Sequence, residues 1–182
     1  LLLNKPMQVV STCHDPQGRK TVLEYLPDRL KAATGIHPVG RLDYNSTGAL
    51  LLTNDGTLTQ HLTHPRYHLP KTYRVVVRGR PSAKALQQWR QGVMLDGRQT
   101  QAAEVNVVSD DGSQDTELEI VLHEGRNRQI RRIADLLGYP VKVLHRIAIG
   151  PIELKGLPTG HVRALSGTEL GKLNQGTEAA SS

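Results

Sequence analysis

The chain has 182 residues, enough for one domain or two small subdomains with a sizeable core. Apolar residues make up 37% and charged residues 22%, which excludes a disordered or fibrous chain. Basic residues outnumber acidic ones 23 to 17, a net charge of +6, and this favours a polyanionic partner such as RNA or DNA. Cys13 is the only cysteine, which excludes a disulfide framework or a cysteine-built zinc site within one chain and fits a reducing cytoplasm. No run approaches the roughly 20 apolar residues of a membrane helix. With five Tyr, one Trp and no Phe, broad stacking platforms for single strands are not expected, and a tyrosine in a site gains weight.

In chain order, Leu1 to Leu3 and Val9-Val10 read as buried strand segments around a turn at Asn4-Lys5-Pro6. The chain opens on this strand without an initiator Met and reads as a fragment of a longer protein; Leu1-Leu2-Leu3 is too short for a signal sequence. Asp15-Pro16-Gln17-Gly18 is a turn signal. Thr21 caps a short helix from Val22 to Leu26, stopped by Pro27. Lys31 to Pro38 reads as loop, Ala49 to Thr53 as a strand, and Leu58 to Thr63 as a short helix stopped by Pro65. Thr72 to Arg78 is Val-rich and reads as a strand. Ser82 caps a helix through Gln91, with Gly92 as its stop. Val105 to Ser109 and Glu117 to Leu122 form a hairpin around Asp110-Asp111-Gly112. Asn127 to Leu137 is the clearest helix, with Ile130, Ile133, Ala134 and Leu137 in the i, i+3, i+4, i+7 pattern and Gly138 and Pro140 at its end. Val141 to Ile149 is a further strand, Ser166 begins a last short helix, and 174–182 reads as a flexible polar tail. Short strands and hairpins mixed with a few helices predict an α+β fold around a largely antiparallel sheet.

Two segments carry chemistry. In Gly40-Arg41-Leu42-Asp43, followed by Tyr44-Asn45-Ser46-Thr47-Gly48, one acid sits on a small-residue loop with an apolar strand directly behind it. A carboxylate presented there can act as nucleophile or base, or can simply cap its own turn. Gly125-Arg126-Asn127-Arg128-Gln129-Ile130-Arg131-Arg132 places four arginines at a helix start, where the backbone already carries partial positive charge. That crowding suits a bound phosphate, although a solvated basic face is the plainer alternative. At roughly 100° per residue, Arg131 lies beside the apolar stripe and is best placed to reach a half-buried site, with Arg128 and Arg132 farther round. His61, His64 and His68 span Pro65, so one helical face cannot carry all three, and no metal site is expected. Cys13 reads as a small apolar residue, Asp55 as a turn residue, and the segment after it shows no phosphate-binding glycine loop.

Taken in order, these segments resemble the RsuA/RluB/RluE/RluF group of RNA pseudouridine synthases. Gly40-Arg41-Leu42-Asp43 through Asn54-Asp55-Gly56 looks like its central motif, Lys71-Thr72-Tyr73 its second, and Glu124 to Arg132 its third. Leu2-Leu3-Asn4-Lys5-Pro6 and His145-Arg146-Ile147-Ala148-Ile149-Gly150 match its flanking strands. Asn45 and Ala49 depart mildly from the pattern, and the S4-type RNA-binding module with which many relatives begin is absent from the chain. The resemblance implies a pseudouridine synthase fold over residues 1–173: a mixed, mainly antiparallel sheet flanked by a few helices, with a central catalytic cleft. It implies conversion of a uridine in structured RNA, foremost ribosomal RNA, to its C-glycoside without metal or cofactor.

Asp43 matches the catalytic aspartate, acting as nucleophile or base. Arg41 matches an arginine that fills the gap left by a flipped base, a role suited to a planar cation. Tyr73 matches the tyrosine that packs on the base, and Arg131 the basic partner that keeps Asp43 ionised. Lys71, Arg126, Asn127 and Arg128 complete the expected RNA-contacting set. RNA is the partner implied, with no membrane and no metal, for a monomer in the cytoplasm. A non-catalytic RNA-binding or ribosome-assembly module of the same fold, and a base-flipping glycosylase, are the rival readings.

Overall fold

A computed structural model describes residues 1–31, 35–64, 69–109 and 114–178. In chain order the elements are β1 (Leu2–Lys5), a 3-10 turn (Val22–Tyr25), α1 (Asp28–Lys31), β2 (His37–Pro38), β3 (Thr47–Thr53), α2 (Gly56–Thr63), β4 (Lys71–Arg78), α3 (Ala83–Gln91), β5 (Met94–Leu95), β6 (Arg98–Gln99), β7 (Glu104–Ser109), β8 (Asp115–Leu122), α4 (Gln129–Leu137), β9 (Val141–Ile149), β10 (Ile152–Glu153), β11 (Val162–Arg163) and α5 (Gly167–Glu178). The class is α+β, as expected, and the chain divides into two units. Leu1–Leu69 with Ile147–Ser182 make the first and Pro70–Arg146 the second.

In the first unit β1 pairs antiparallel with β3 on one side and β11 on the other, while β2 pairs with the far end of β3. The leucine run of β3 is apolar on both faces because both faces are covered. Ala49 and Leu51 pack with Leu2, Ile149, Ile152 and Leu173. Leu50 and Leu52 pack with Leu3, Val9, Val22 and Leu26. The turn expected at Asn4-Lys5-Pro6 is instead strand through Lys5, with Asn4 opposite Ala49 and Lys5 opposite Gly48. Both polar residues find partners inside: Asn4 Nδ2 donates to the carbonyl of Leu157 at 2.7 Å, and Lys5 is treated below. Val9-Val10 forms no strand; Val9 is buried and Val10 makes a single parallel bridge to Thr21. The loop expected from Lys31 to Pro38 contains β2 at its end.

Asp55 is more than a turn residue, since its carboxylate caps α2 by accepting from Leu58 N at 3.0 Å. Ser166 and Glu169 form a capping box at α5: Ser166 Oγ accepts from Glu169 N and the Glu169 carboxylate from Ser166 N. The helix runs to Glu178, beyond its expected end.

In the second unit β8 lies between β4 and β7, with eight aligned pairs from Lys71–Leu122 to Arg78–Asp115. Tyr73, Val75 and Val77 of β4 share the buried face with Leu118 and Ile120 of β8 and Val105 of β7. The expected turn at 110–112 lies outside the described residues. Ser82 caps α3 as expected, its Oγ accepting from Ala85 N at 3.2 Å. The Arg90 guanidinium then ties α3 to β7 through the carbonyl of Val105. The β5–β6 hairpin was not anticipated, although its turn, Asp96-Gly97, carries the Asp-Gly signal of a tight hairpin and has positive φ at both residues. α4 starts at Gln129 rather than Asn127, because Arg128 adopts a left-handed conformation with φ 48°.

Gly92 has φ +88°, and an added Cβ would stand 2.3 Å from the carbonyl oxygen of Thr100. Gly92→Ala is expected to destabilise the fold by about 2–4 kcal/mol, measured by urea unfolding. Glu169 accepts two hydrogen bonds from Arg163, at 2.6 and 2.8 Å, as well as that of Ser166 N. Arg163 above all, then Ser166 N–H, lowers its pKa from 4.5 to about 2. A depressed carboxyl contributes its stabilisation fully above its unfolded pKa and loses it as pH falls toward the folded one. Between pH 4.5 and 2, Glu169→Gln should therefore lose stability less steeply than the parent chain, followed by circular dichroism.

Candidate active site

The loop from Gly40 to Gly48 is fixed from several directions. Both glycines have positive φ, 72° and 108°, and so allow the sharp entry and exit. Leu42 is buried and held at both backbone groups by one hydroxyl: Ser11 Oγ donates to Leu42 O at 2.8 Å and accepts from Leu42 N at 3.1 Å. Gln8 N donates to Tyr44 O at 2.8 Å, and Ser46 N closes the turn onto Asp43 O at 3.0 Å. Beneath the loop lies Lys5, whose side chain is fully buried. Its Nζ donates to the carbonyls of Pro6, Asp43 and Ser46 at 3.0, 3.1 and 2.9 Å. An ammonium out of water is tolerated only when oxygens replace its hydration, and here two of the three replacing oxygens belong to the loop that carries Asp43. On this frame Asp43 is half-buried and Arg41 exposed, so the acid is backed by protein while the guanidinium faces solvent.

The other expected site residues belong to the second unit. Lys71 and Tyr73 are two apart on β4, so both side chains leave the same face of the strand. Tyr73 is 9% exposed, and the guanidinium carbon of Arg146, a residue 4% exposed on the neighbouring strand β9, lies 6.0 Å from its ring centroid. Burial first, and the charge of Arg146 second, lower the pKa of Lys71. Arg146 is therefore a member of this cluster that residue-by-residue reading missed. The signal available was an arginine among alternating apolar residues in a strand.

The four arginines of the basic run divide by task. Arg126 donates to the Glu124 carboxylate at 3.1 Å and to the carbonyls of Arg98 and Gln99 at 3.0 and 2.5 Å, bracing the β5–β6 hairpin. Arg132 makes a bidentate pair with Asp96 at the tip of that hairpin, at 2.6 and 2.8 Å, and this lowers the Asp96 pKa. Asn127 and Arg128 are exposed, and Arg131 is half-buried beside the buried Ile130 and Ile133, where helical geometry places it. Gln129, also buried, locks the helix start by donating to Glu124 and accepting from Arg126 N. Among the described residues there is no cluster of His, Cys, Asp or Glu able to hold a metal ion, and His68 lies outside them. Cys13, expected to behave as a small apolar residue, is exposed. No described helix is long and apolar enough to cross a membrane.

A family model described as RNA pseudouridylate synthase matches residues 1–135. The chain belongs to the RNA pseudouridine synthases. An uncharacterised RNA pseudouridine synthase of Aquifex aeolicus is 41% identical over 174 residues, covering 95% of this chain and 68% of that protein. The ribosomal large subunit pseudouridine synthase B of Bacillus subtilis is 39% identical over 176 residues, covering 94% and 70%. Among solved structures, a crystal structure of a pseudouridylate synthase superposes with a TM-score of 0.85 at 30% identity, over 94% of this chain and 72% of that one. The archaeal Nop10–Cbf5 complex, at TM-score 0.56 and 18% identity, shares the fold. This pseudouridine synthase is thus an enzyme that isomerises uridine in RNA, with the α+β sheet fold of its family.

For the synthase, Lys5 is the residue whose loss tests the loop. Lys5→Met removes one donor from three carbonyls and is expected to cost about 2–4 kcal/mol of stability. With the Asp43 loop released, the isomerisation rate should fall by at least about tenfold while RNA affinity stays within a few fold, measured by tritium release and filter binding.

Proposed function

We propose that this synthase acts on ribosomal RNA, with the large-subunit RNA as its substrate, and that Asp43 carries the chemistry. The support for the substrate is the set of relatives named as ribosomal large subunit pseudouridine synthases B and E, 35–39% identical to this chain. The support for Asp43 is its place: one carboxylate, half-buried, on a loop clamped by Ser11, Gln8 and a buried lysine. An exposed turn aspartate would need no such frame.

The reaction breaks C1′–N1, turns the detached base and joins C5 to C1′, so the target nucleotide must first leave its helix at a cost of a few kcal/mol. Arg41, planar, cationic and exposed, takes the vacated place in the stack. The Asp43 carboxylate attacks the sugar or removes a sugar proton, and Arg131 is its basic partner. Tyr73 covers the base with an apolar face and offers a hydroxyl. Asn127 and Arg128, exposed where α4 begins, meet phosphate, and Arg126 serves them by holding the hairpin beneath. The reaction calls on no metal or cofactor in this reading, and the enzyme works as a monomer in the cytoplasm.

Incubation with C5-tritiated large-subunit RNA is expected to release tritium with the chain intact; release of free uracil would make the protein a glycosylase, and binding without either would make it a non-catalytic module. Asp43→Asn should abolish tritium release and leave RNA affinity within a few fold, and release at the parent rate would remove Asp43 from the mechanism. RNA affinity should also fall steeply with salt, as phosphate contacts return their counterions; a flat response between low and moderate salt would exclude the basic helix start as a phosphate contact.

A further inference from the structure

The β5–β6 hairpin contributes little to the core, yet it is held along its whole length. It forms a two-stranded sheet of its own, with two residues a side and a tip at Asp96-Gly97. Of residues 94–99 only Leu95 is buried, and Met94 is 60% exposed. A ribbon this short is marginal in water unless other groups fix it. Arg132 grips the Asp96 carboxylate at the tip through two hydrogen bonds, and Arg126 donates to the carbonyls of Arg98 and Gln99 on the returning strand. Beyond them Thr100 N donates to Val93 O at 2.9 Å, and Thr100 Oγ1 accepts from Val93 N at 3.0 Å. Glu124 accepts from both Gln101 N and the Arg126 guanidinium, so the exit of the hairpin and its brace share one carboxylate.

Arg98 is the residue that this frame presents. It stands opposite Leu95 in the ladder and is exposed, and among the described residues its guanidinium meets no acceptor. The carboxylates of the frame are engaged elsewhere, Asp96 by Arg132 and Glu124 by Arg126 and Gln129. An exposed arginine is ordinarily just hydrated. This one differs because its own carbonyl is held by Arg126 and its ladder partner Leu95 is buried, so the point from which the side chain starts is fixed in advance. The same braces tie that point to the start of α4, where Asn127 and Arg128 are exposed. A planar fork of donors matches phosphate bidentately, and fixing its base beforehand lowers the entropy lost on binding. The enzyme acts on RNA and the chain carries a net charge of +6, so the matching acceptor is the RNA backbone.

We propose that the β5–β6 hairpin is an RNA-contacting element in which Arg98 binds a backbone phosphate, with Arg126 and Arg132 as positioning residues. The basic run then serves RNA partly at one remove, by aiming a cation that lies outside it. Phosphate contacts fix register without reading sequence, so the hairpin sets how the substrate lies and not which uridine is chosen. The inference rests on the RNA-directed activity alone and on no assignment of the acid, the base-covering tyrosine or the ribosomal target. A hairpin that only neutralised the arginines of α4 would have no use for Arg98.

The test measures binding of the full chain to a large-subunit RNA transcript by filter binding across a salt series. Loss of one phosphate contact makes the plot of log affinity against log salt shallower by about 0.7–0.9. Arg98→Gln should therefore bind about five- to eightfold more weakly than the parent at about 0.1 M salt and nearly equally at about 1 M. Arg98→Lys keeps the charge and should keep the parent slope. For both variants kcat at saturating RNA should stay within about twofold, since the contact is the same before and during the chemistry. Asp96→Asn combined with Arg132→Gln leaves the net charge unchanged and releases the tip. That pair should weaken binding about two- to fivefold at low salt in the parent chain and not at all in the Arg98→Gln chain. Equal slopes for the parent and Arg98→Gln, or an undiminished effect of the tip-releasing pair in the Arg98→Gln chain, would overturn the inference and leave the hairpin a brace for α4. A parent chain that binds the transcript without isomerising it would overturn the ribosomal assignment, while the slopes still decide the role of Arg98.

Discussion

A lysine buried from water organises the loop that carries Asp43. Lys5 leaves β1 into the interior, and its ammonium must replace lost hydration with oxygen. Three backbone carbonyls provide it, two of them from the loop that carries Asp43. Neither side of this arrangement is stable alone, since the loop needs a donor for its inward carbonyls and the lysine needs acceptors. The double-sided core around β3 then holds the base of the loop from both sides, with Leu50 and Leu52 packed on one face and Ala49 and Leu51 on the other.

Charge in the second unit is divided rather than massed. Arg126 and Arg132 are engaged by protein oxygens from a hairpin of a few residues, whereas Asn127 and Arg128 face outward. A helix start so rich in arginine would repel itself; placing Glu124 and Asp96 against two of the guanidiniums relieves that repulsion locally.

What could be read from the chain in advance follows from the range of the forces involved. Ser82 and Gly92 bound α3, and Ile130 and Ile133 mark the buried stripe of α4, because caps and periodicity are local. The motifs were equally legible, and they led to the family. Lys5 was not, because a lysine beside proline reads as a turn until the strand opposite it is known. The helix start was misplaced by two residues because Arg128 takes a backbone conformation that its side chain gives no reason to expect. The pairs β2, β10 and β11 are two residues long, too short to show any period. Arg146 looked like one more basic residue in a strand; only the tyrosine on the neighbouring strand gives it meaning.

The division of the chain bears on how the molecule is made. The second unit is one continuous stretch, whereas the first is interrupted by it and resumes only at Ile147. Leu2 is translated well before its partners Ile152, Leu154 and Leu173. The inserted stretch can therefore settle while the segment bearing the acid still waits for its other half. A nascent chain already holding the arginine-rich helix has yet to complete the core behind the Asp43 loop.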